Sequence, residues 1–192
     1  MSVARDSLMS LEAYSRARAD FRARIIPHRR LRTVFLGEHV SLQFEDELTV
    51  RYQIQEMLRI EKIFEEEGIR EEIDVYGPLV PDGSNWKATM LIEYDDEAVR
   101  RTELARLLAI EDKVWVQIAG HDKIYAIADE DLERSSADKT SAVHFLRFEL
   151  DPAMVAAAKA GAALTMGVDH PNYTVSAAVP EPTRAALVAD LA

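Results

Sequence analysis

The strongest pattern in the chain is helical. From Leu48 to Phe64 (LTVRYQIQEMLRIEKIF), Val50, Ile54, Met57, Leu58, Ile60 and Phe64 fall on one broad arc at about 100° per residue. Gln53 and Glu61 lie inside that arc, so the pattern predicts a long helix with a carboxylate on its apolar face. Burying a carboxylate is costly unless it is paired, metal-bound or protonated. Glu45, Asp46 and Glu47 precede the helix, where acids are favourable, and Gly68 is a natural stop.

Ser10 to Ile25 reads as an amphipathic helix capped by Ser10 and ended by Pro27. Leu31–Leu36 and Val40–Phe44 alternate around Gly37, a hairpin signal. Ile69 to Tyr76 reads as a short helix, and GPLVPDGSNW as a loop. Along Lys87–Tyr94, Trp86, Ala88, Met90, Ile92 and Tyr94 share one face. Asp95 and Asp96 cap a helix that runs through Leu108. A second hairpin joins Lys113–Ile118 to Lys123–Ala128. The polar segment 130–141 is the weakest and is expected to be a mobile linker. Val143–Leu150 is a strand, and Pro152 opens an Ala-rich helix ending near Gly161. Ala163–Val168 and Tyr173–Val179 flank the turn DHPN, and Thr183 caps a final helix, 184–191. Strands arriving as hairpins with helices between them predict one α+β domain over 1–192. Its mostly antiparallel strands pack against one long helix and several shorter ones.

Composition narrows the function classes. The 192 residues carry a formal net charge of −11, which disfavours nucleic acid and anionic membranes as partners. There is no cysteine, so thiolate-held iron–sulfur clusters, disulfides and a cysteine nucleophile are excluded. A metal, if held, would be iron, manganese or zinc on His and carboxylate ligands. No signal-peptide core or membrane-length apolar run is visible, and the expected compartment is the cytoplasm.

No nucleotide loop, nucleophile elbow or zinc-helix motif is present, which leaves open whether the protein is an enzyme. Four residues are the candidate metal ligands: Glu61, His144, Asp169 and His170. His144 shares an apolar strand face with Leu146, Phe148 and Leu150, where a hydrogen-bonded core histidine is the commoner outcome. Asp169 and His170 fall in a tight turn that needs Asp, Pro and Asn for its geometry alone. If Arg51 or Arg147 reaches Glu61, the pair is structural; if His144 or His170 does, a metal site is credible. Glu56 and Arg59 read as a solvated pair on the opposite helix face. Arg51, Gln55 and Arg59, with Asp82, Asn85 and Trp86 of the loop, form a candidate partner-binding surface. Trp86 could equally plug the core. A third class is a small-molecule module with its pocket between the long helix and the sheet.

The phrases RYQIQEMLRIEKIFEEEGI, EEIDVYGPLVPDGSNWKATMLIEY, IEDKVWVQIAG, KIYAIADEDLER, KTSAVHFLRFEL and GVDHPNY span nearly the whole chain. Through them it resembles an uncharacterised bacterial family, a domain of unknown function. Members are typically encoded beside a rubrerythrin-like di-iron protein and an iron–sulfur/flavin oxidoreductase. The resemblance implies an accessory or partner role in oxidative-stress defence or electron transfer, and it carries no catalytic residues with it.

Overall fold

The computed structural model describes residues 3–132 and 134–192. The chain order is α1 (Leu11–Leu31), β1 (Thr33–Leu36), β2 (Val40–Phe44), α2 (Glu47–Glu61), α3 (Glu66–Tyr76), β3 (Asn85–Ile92), α4 (Glu97–Arg106), β4 (Val114–Ile118), β5 (Ile124–Tyr125), β6 (Ile127–Ala128), β7 (Val143–Glu149), α5 (Pro152–Lys159), β8 (Leu164–His170), β9 (Tyr173–Ala178) and α6 (Glu181–Val188). The fold is α+β, with two antiparallel sheets ordered β1-β2-β3-β7-β6 and β5-β4-β8-β9. Among the described residues no helix is long and apolar enough to cross a membrane.

Alternation along the strands builds the main core. Leu42, Phe44, Trp86, Met90, Leu146 and Phe148 of the first sheet meet Val114, Val116, Met166 and Val168 of the second in one buried cluster. The opposite face of the first sheet is different in kind. Register places Gln43 beside Thr89, and Thr89 beside Phe145, in one cross-strand row. Helices α1, α2 and α3 lie over this face. Their apolar residues cluster with one another (Val50, Ile54, Leu58 and Ile69; Tyr14, Phe21, Ile25 and Tyr52) in groups that contain no strand residue. A polar sheet face under helices that bury their own apolar sides is where a gap can persist.

Several boundaries differ from expectation. Helix α1 runs through Pro27 to Leu31. Proline removes one hydrogen bond, but the last turn is held from outside, with Arg29 O accepting Arg32 N at 3.0 Å and Thr33 Oγ1 at 2.8 Å. Helix α2 stops at Glu61, because Lys62 turns left-handed (φ 57°) and Ile63 N bonds Leu58 O at 2.9 Å. Ile60 and Phe64 are therefore exposed. Gly68 lies inside α3 and does not end a helix; a Cβ there would stand 2.8 Å from the Ile63 side chain, so glycine permits that approach. Strands β5 and β6 are separated by one residue and join different sheets, so the second hairpin is short. Strand β8 extends through Asp169 and His170, leaving a two-residue turn. Thr183 lies within α6, whose N-cap is Pro180.

Candidate functional site

The gap between the first sheet and the helix layer is a cavity of about 250 Å³. Its walls are Arg29 of α1, Gln43 and Glu45 at the end of β2, Val50 and Gln53 of α2, Tyr76 and Leu79 after α3, Thr89 of β3, and Val143 and Phe145 of β7. Tyr76, Leu79 and Phe145 also line an adjoining groove.

Three wall groups are chemically unusual. Glu45 is buried, with a 7 % relative exposure. Thr49 Oγ1 donates to its Oε2 at 2.5 Å and Thr89 Oγ1 to its Oε1 at 2.7 Å. Among the described residues no cation forms an ion pair with it. Gln43 Nε2 is buried and donates to nothing, and Arg29 Nε is buried and equally unpartnered. The Arg29 guanidinium stacks over the Tyr52 ring with its carbon 5.2 Å from the centroid, which holds it in place without using its N–H groups. Buried donors without acceptors and a buried carboxylate without a counter-charge are costly. One cavity therefore brings together a buried guanidinium N–H without an acceptor, on the half-buried Arg29, a buried carboxylate with no cation beside it and a free amide, next to apolar Val50, Leu79, Val143 and Phe145.

A second cluster surrounds His144. Glu111, Asp129 and His144 are the one group among the described residues whose ligand-type atoms all come within 4.8 Å of one another. His144 is fully buried. Its Nδ1 donates to Asp129 Oδ2 at 2.6 Å, and its Nε2 faces Thr140 Oγ1 at 2.8 Å and Ser141 O at 3.1 Å. Thr140 spends its own proton on Glu111 Oε2 at 2.8 Å, and Ser135 donates to Glu111 Oε1 at 2.5 Å. Both ring nitrogens thus face acceptors, the bonding pattern of an imidazolium. Arg134 bonds the other Asp129 oxygen at 3.3 Å. Arg134 is also held bidentately by Asp131 at 2.6 and 2.7 Å, so three carboxylates share two cations in an ion-pair cluster that ties Asp129, Arg134, Ser135 and Thr140 to His144 of β7. Burial opposes the Glu111 charge, yet the Ser135 hydroxyl, the charge on His144 and the Thr140 hydroxyl hold its carboxyl below the usual carboxylate range.

The four residues proposed from sequence as metal ligands are not brought together. Glu61 is exposed in the last turn of α2, because the helix ends there and its buried face runs through Val50, Ile54 and Leu58. Arg51 pairs with Glu47, and Arg147 with Glu130 and Glu149, so neither reaches Glu61. Asp169 accepts from Lys123 Nζ and Tyr125 Oη, each at 2.7 Å, and those donors lower its pKa. His170 points to the other strand face, where Nε2 donates to Leu108 O at 3.1 Å and Nδ1 accepts from Asn172 N at 3.2 Å. Of the four, only His144 lies in a cluster of potential ligands.

The partner-surface set also divides. Trp86 is fully buried and its indole donates to Leu187 O at 2.8 Å, so it plugs the core. Gln55 is fully buried, accepting from Met9 N at 2.6 Å, and Asn85 is buried against Asp82, to which it donates at 2.9 Å. None of these three can be a surface contact, because tertiary packing has already taken their polar atoms. Arg51, Arg59 and Asp82 retain solvent-facing surface. Glu56 is not the solvated residue its spacing implied. It sits between α1 and α2, accepting from Tyr14 Oη at 2.6 Å and bidentately from Arg18 at 2.7 and 2.9 Å.

Sequence reasoning passed over Arg29, Gln43, Glu45 and Thr89. One signal was present: in VSLQFED the polar Gln43 and Glu45 alternate with buried Leu42 and Phe44, which marks them as facing away from the main core. What covers that second face is not written locally.

No curated protein matches the chain. Among solved structures, it is similar to a crystal structure of a novel protein of unknown function from Burkholderia pseudomallei K96243. The two share 56 % identity over the whole of both chains, with a TM-score of 0.96. The model of DUF3501, described as a protein of unknown function, matches residues 2–191. The chain therefore belongs to the DUF3501 family.

Proposed function

We propose that this protein is a small-molecule-binding accessory protein whose site is the cavity between the first sheet and helices α1–α3. The observation that carries the reading is the set of uncompensated groups on its walls: Arg29 Nε and Gln43 Nε2 without acceptors, and the buried Glu45 carboxylate without a cation. Ligand sites commonly pair an apolar lining with a few convergent polar groups, and this cavity has that make-up. A bound molecule offsets desolvation costs that the protein alone leaves standing. The test is methyl NMR of Val50, Leu79 and Val143 during titration with a library of small polar metabolites. Shifts confined to these residues, and lost in Leu79→Trp where the larger side chain fills the cavity wall, are expected. A library that leaves all three resonances unmoved overturns the reading.

The setting is the one implied by the family resemblance: an accessory or partner of a rubrerythrin-type oxidative-stress or electron-transfer system. The absence of cysteine supports a division of labour in which the iron–sulfur chemistry belongs to another protein. The acidic net charge suits a partner with a basic patch, with Arg51, Arg59 and Asp82 as the remaining surface contacts. A low-salt pull-down that recovers neither a rubrerythrin-like nor an iron–sulfur oxidoreductase protein would remove this part of the proposal.

One observation favours a metal-centre reading: the convergence of Glu111, Asp129 and His144. Binding there requires His144 Nε2 to exchange its Thr140 and Ser141 partners for the metal. Elemental analysis of tag-free protein purified without chelator decides it, since near-stoichiometric iron, manganese or zinc lost in His144→Gln would establish the site.

A further inference from the structure

We propose that the molecule recognised in the cavity is a zwitterion, an α-amino acid with an apolar side chain. The inference rests on the reading that the cavity holds a small molecule. Arg29 and Glu45 line the same space and form no ion pair with each other or with another described residue. An anionic ligand would compensate Arg29 and leave Glu45 exposed to repulsion. A cation would do the reverse, and a neutral ligand would leave Glu45 without a cation and Arg29 Nε without an anion. An α-amino acid matches all three uncompensated groups at once. Its carboxylate accepts from Arg29 Nε and Gln43 Nε2, and its ammonium donates to the Glu45 carboxylate, whose oxygens also accept from Thr49 and Thr89.

The remaining wall selects the side chain. Val50, Leu79, Val143 and Phe145 offer apolar contact and no further charge. Size agrees. A 150 Å³ apolar cavity holds benzene, so about 250 Å³ holds roughly ten non-hydrogen atoms, the class of leucine and methionine.

Calorimetric titration of the full chain with leucine, methionine and the other apolar amino acids, and with the two half-ligands isocaproate and isoamylamine, tests this. Isocaproate keeps the carboxylate and isoamylamine the ammonium. An apolar amino acid is expected to bind at least about tenfold more tightly than either half. In Glu45→Gln, the advantage of the amino acid over isocaproate should shrink several-fold, while isocaproate itself binds no worse. If either half-ligand binds as tightly as the amino acid, the zwitterion assignment fails and the cavity reading stands. The assignment fails in the same way if no amino acid binds but another metabolite shifts the cavity methyls. If no compound of any kind moves those methyls, both fail. Because the half-ligands probe the unaltered protein, the result does not depend on any variant folding.

Discussion

Arg29 and Glu45, opposite in charge and lining one cavity, do not pair with each other. The backbone explains why they stay apart. Arg29 sits in the last turn of α1, stacked on Tyr52 of α2. Glu45 follows β2 and is turned into the sheet-side wall by two threonine hydroxyls. Each is fixed by its own neighbours before the other can reach it.

A stability–function conflict follows at Glu45. Without ligand, a buried carboxylate with no cation beside it is a cost, so Glu45→Gln, which keeps the shape and accepts from Thr49 or Thr89, should leave stability unchanged or raise it by about 1 kcal/mol. Denaturant unfolding of the ligand-free protein checks this. A loss of more than about 1 kcal/mol would show that the carboxylate is compensated in the ligand-free state.

The Glu56 cluster should confer a pH dependence. Hydrogen bonds from Arg18, and less from Tyr14 and Arg59, outweigh burial and hold the Glu56 pKa at about 2, against 4.5 for an unperturbed carboxyl. The folded value is the lower one, so this contribution is fully present above about pH 4.5 and is lost as pH falls toward 2. With 13 % of its side chain exposed, the residue's contribution should be on the order of 1–3 kcal/mol. Glu56→Gln should flatten the acid limb of the stability curve, measured by urea unfolding between neutral and acid pH. An unchanged limb would place the acid sensitivity elsewhere.

Arg32 should be among the least replaceable of the arginines. It is 2 % exposed, donates to Phe44 O and Glu45 O at 3.1 Å and to Ala186 O at 3.2 Å, and forms an ion pair with Asp190. Arg32→Ala leaves three carbonyls and the Asp190 carboxylate unmatched, removes the 3.5 Å contact to Asp46, and should cost about 3–5 kcal/mol. Asp190→Asn keeps the carbonyl contacts and should cost less. Thermal unfolding of both variants checks the order, and equal losses would assign the whole effect to the ion pair.

The His144 network makes the opposite prediction to a metal site. His144→Gln leaves Asp129 and Glu111 short of a cation and should destabilise by about 2–4 kcal/mol whether or not metal is present. Melting curves with and without added zinc, manganese or iron should coincide in the parent protein. A metal-dependent rise there that His144→Gln removes would instead support the metal-centre reading.

Gly37 ties the two sheets together through a glycine-only contact. Its φ is +78° and a Cβ would lie 2.6 Å from Tyr173 Oη, which donates to Leu36 O at 2.6 Å. Gly37→Ala should cost about 2 kcal/mol or more, from backbone strain plus displacement of the tyrosine. In the Tyr173→Phe background the penalty should fall toward the strain alone, about 1 kcal/mol. A double-mutant cycle with no coupling would refute the contact as its cause.

Local pattern carried a large part of the fold. Alternation in Val40–Phe44 and Lys87–Tyr94 identified the strands and the residues facing the main core, although the second strand runs Asn85–Ile92. Ser10 and Asp96 both act as N-caps where the local pattern put them. These features depend on residues a few positions apart, and period and capping are properties of the segment itself. The absence of cysteine and the acidic charge likewise needed no coordinates.

Tertiary structure decided the rest. Glu61 lay mid-arc on the helical wheel, but Lys62 ended the helix and left it in solvent. Trp86 and Gln55 were plausible surface contacts until Leu187 O and Met9 N took their polar atoms from segments far along the chain. The cavity walls come from α1, β2, α2, β3, β7 and the turn after α3, so no window of sequence contains them together. Whether a polar group is paired depends on what the folded chain brings within about 3 Å, and that is set by packing between distant segments, not by spacing within one.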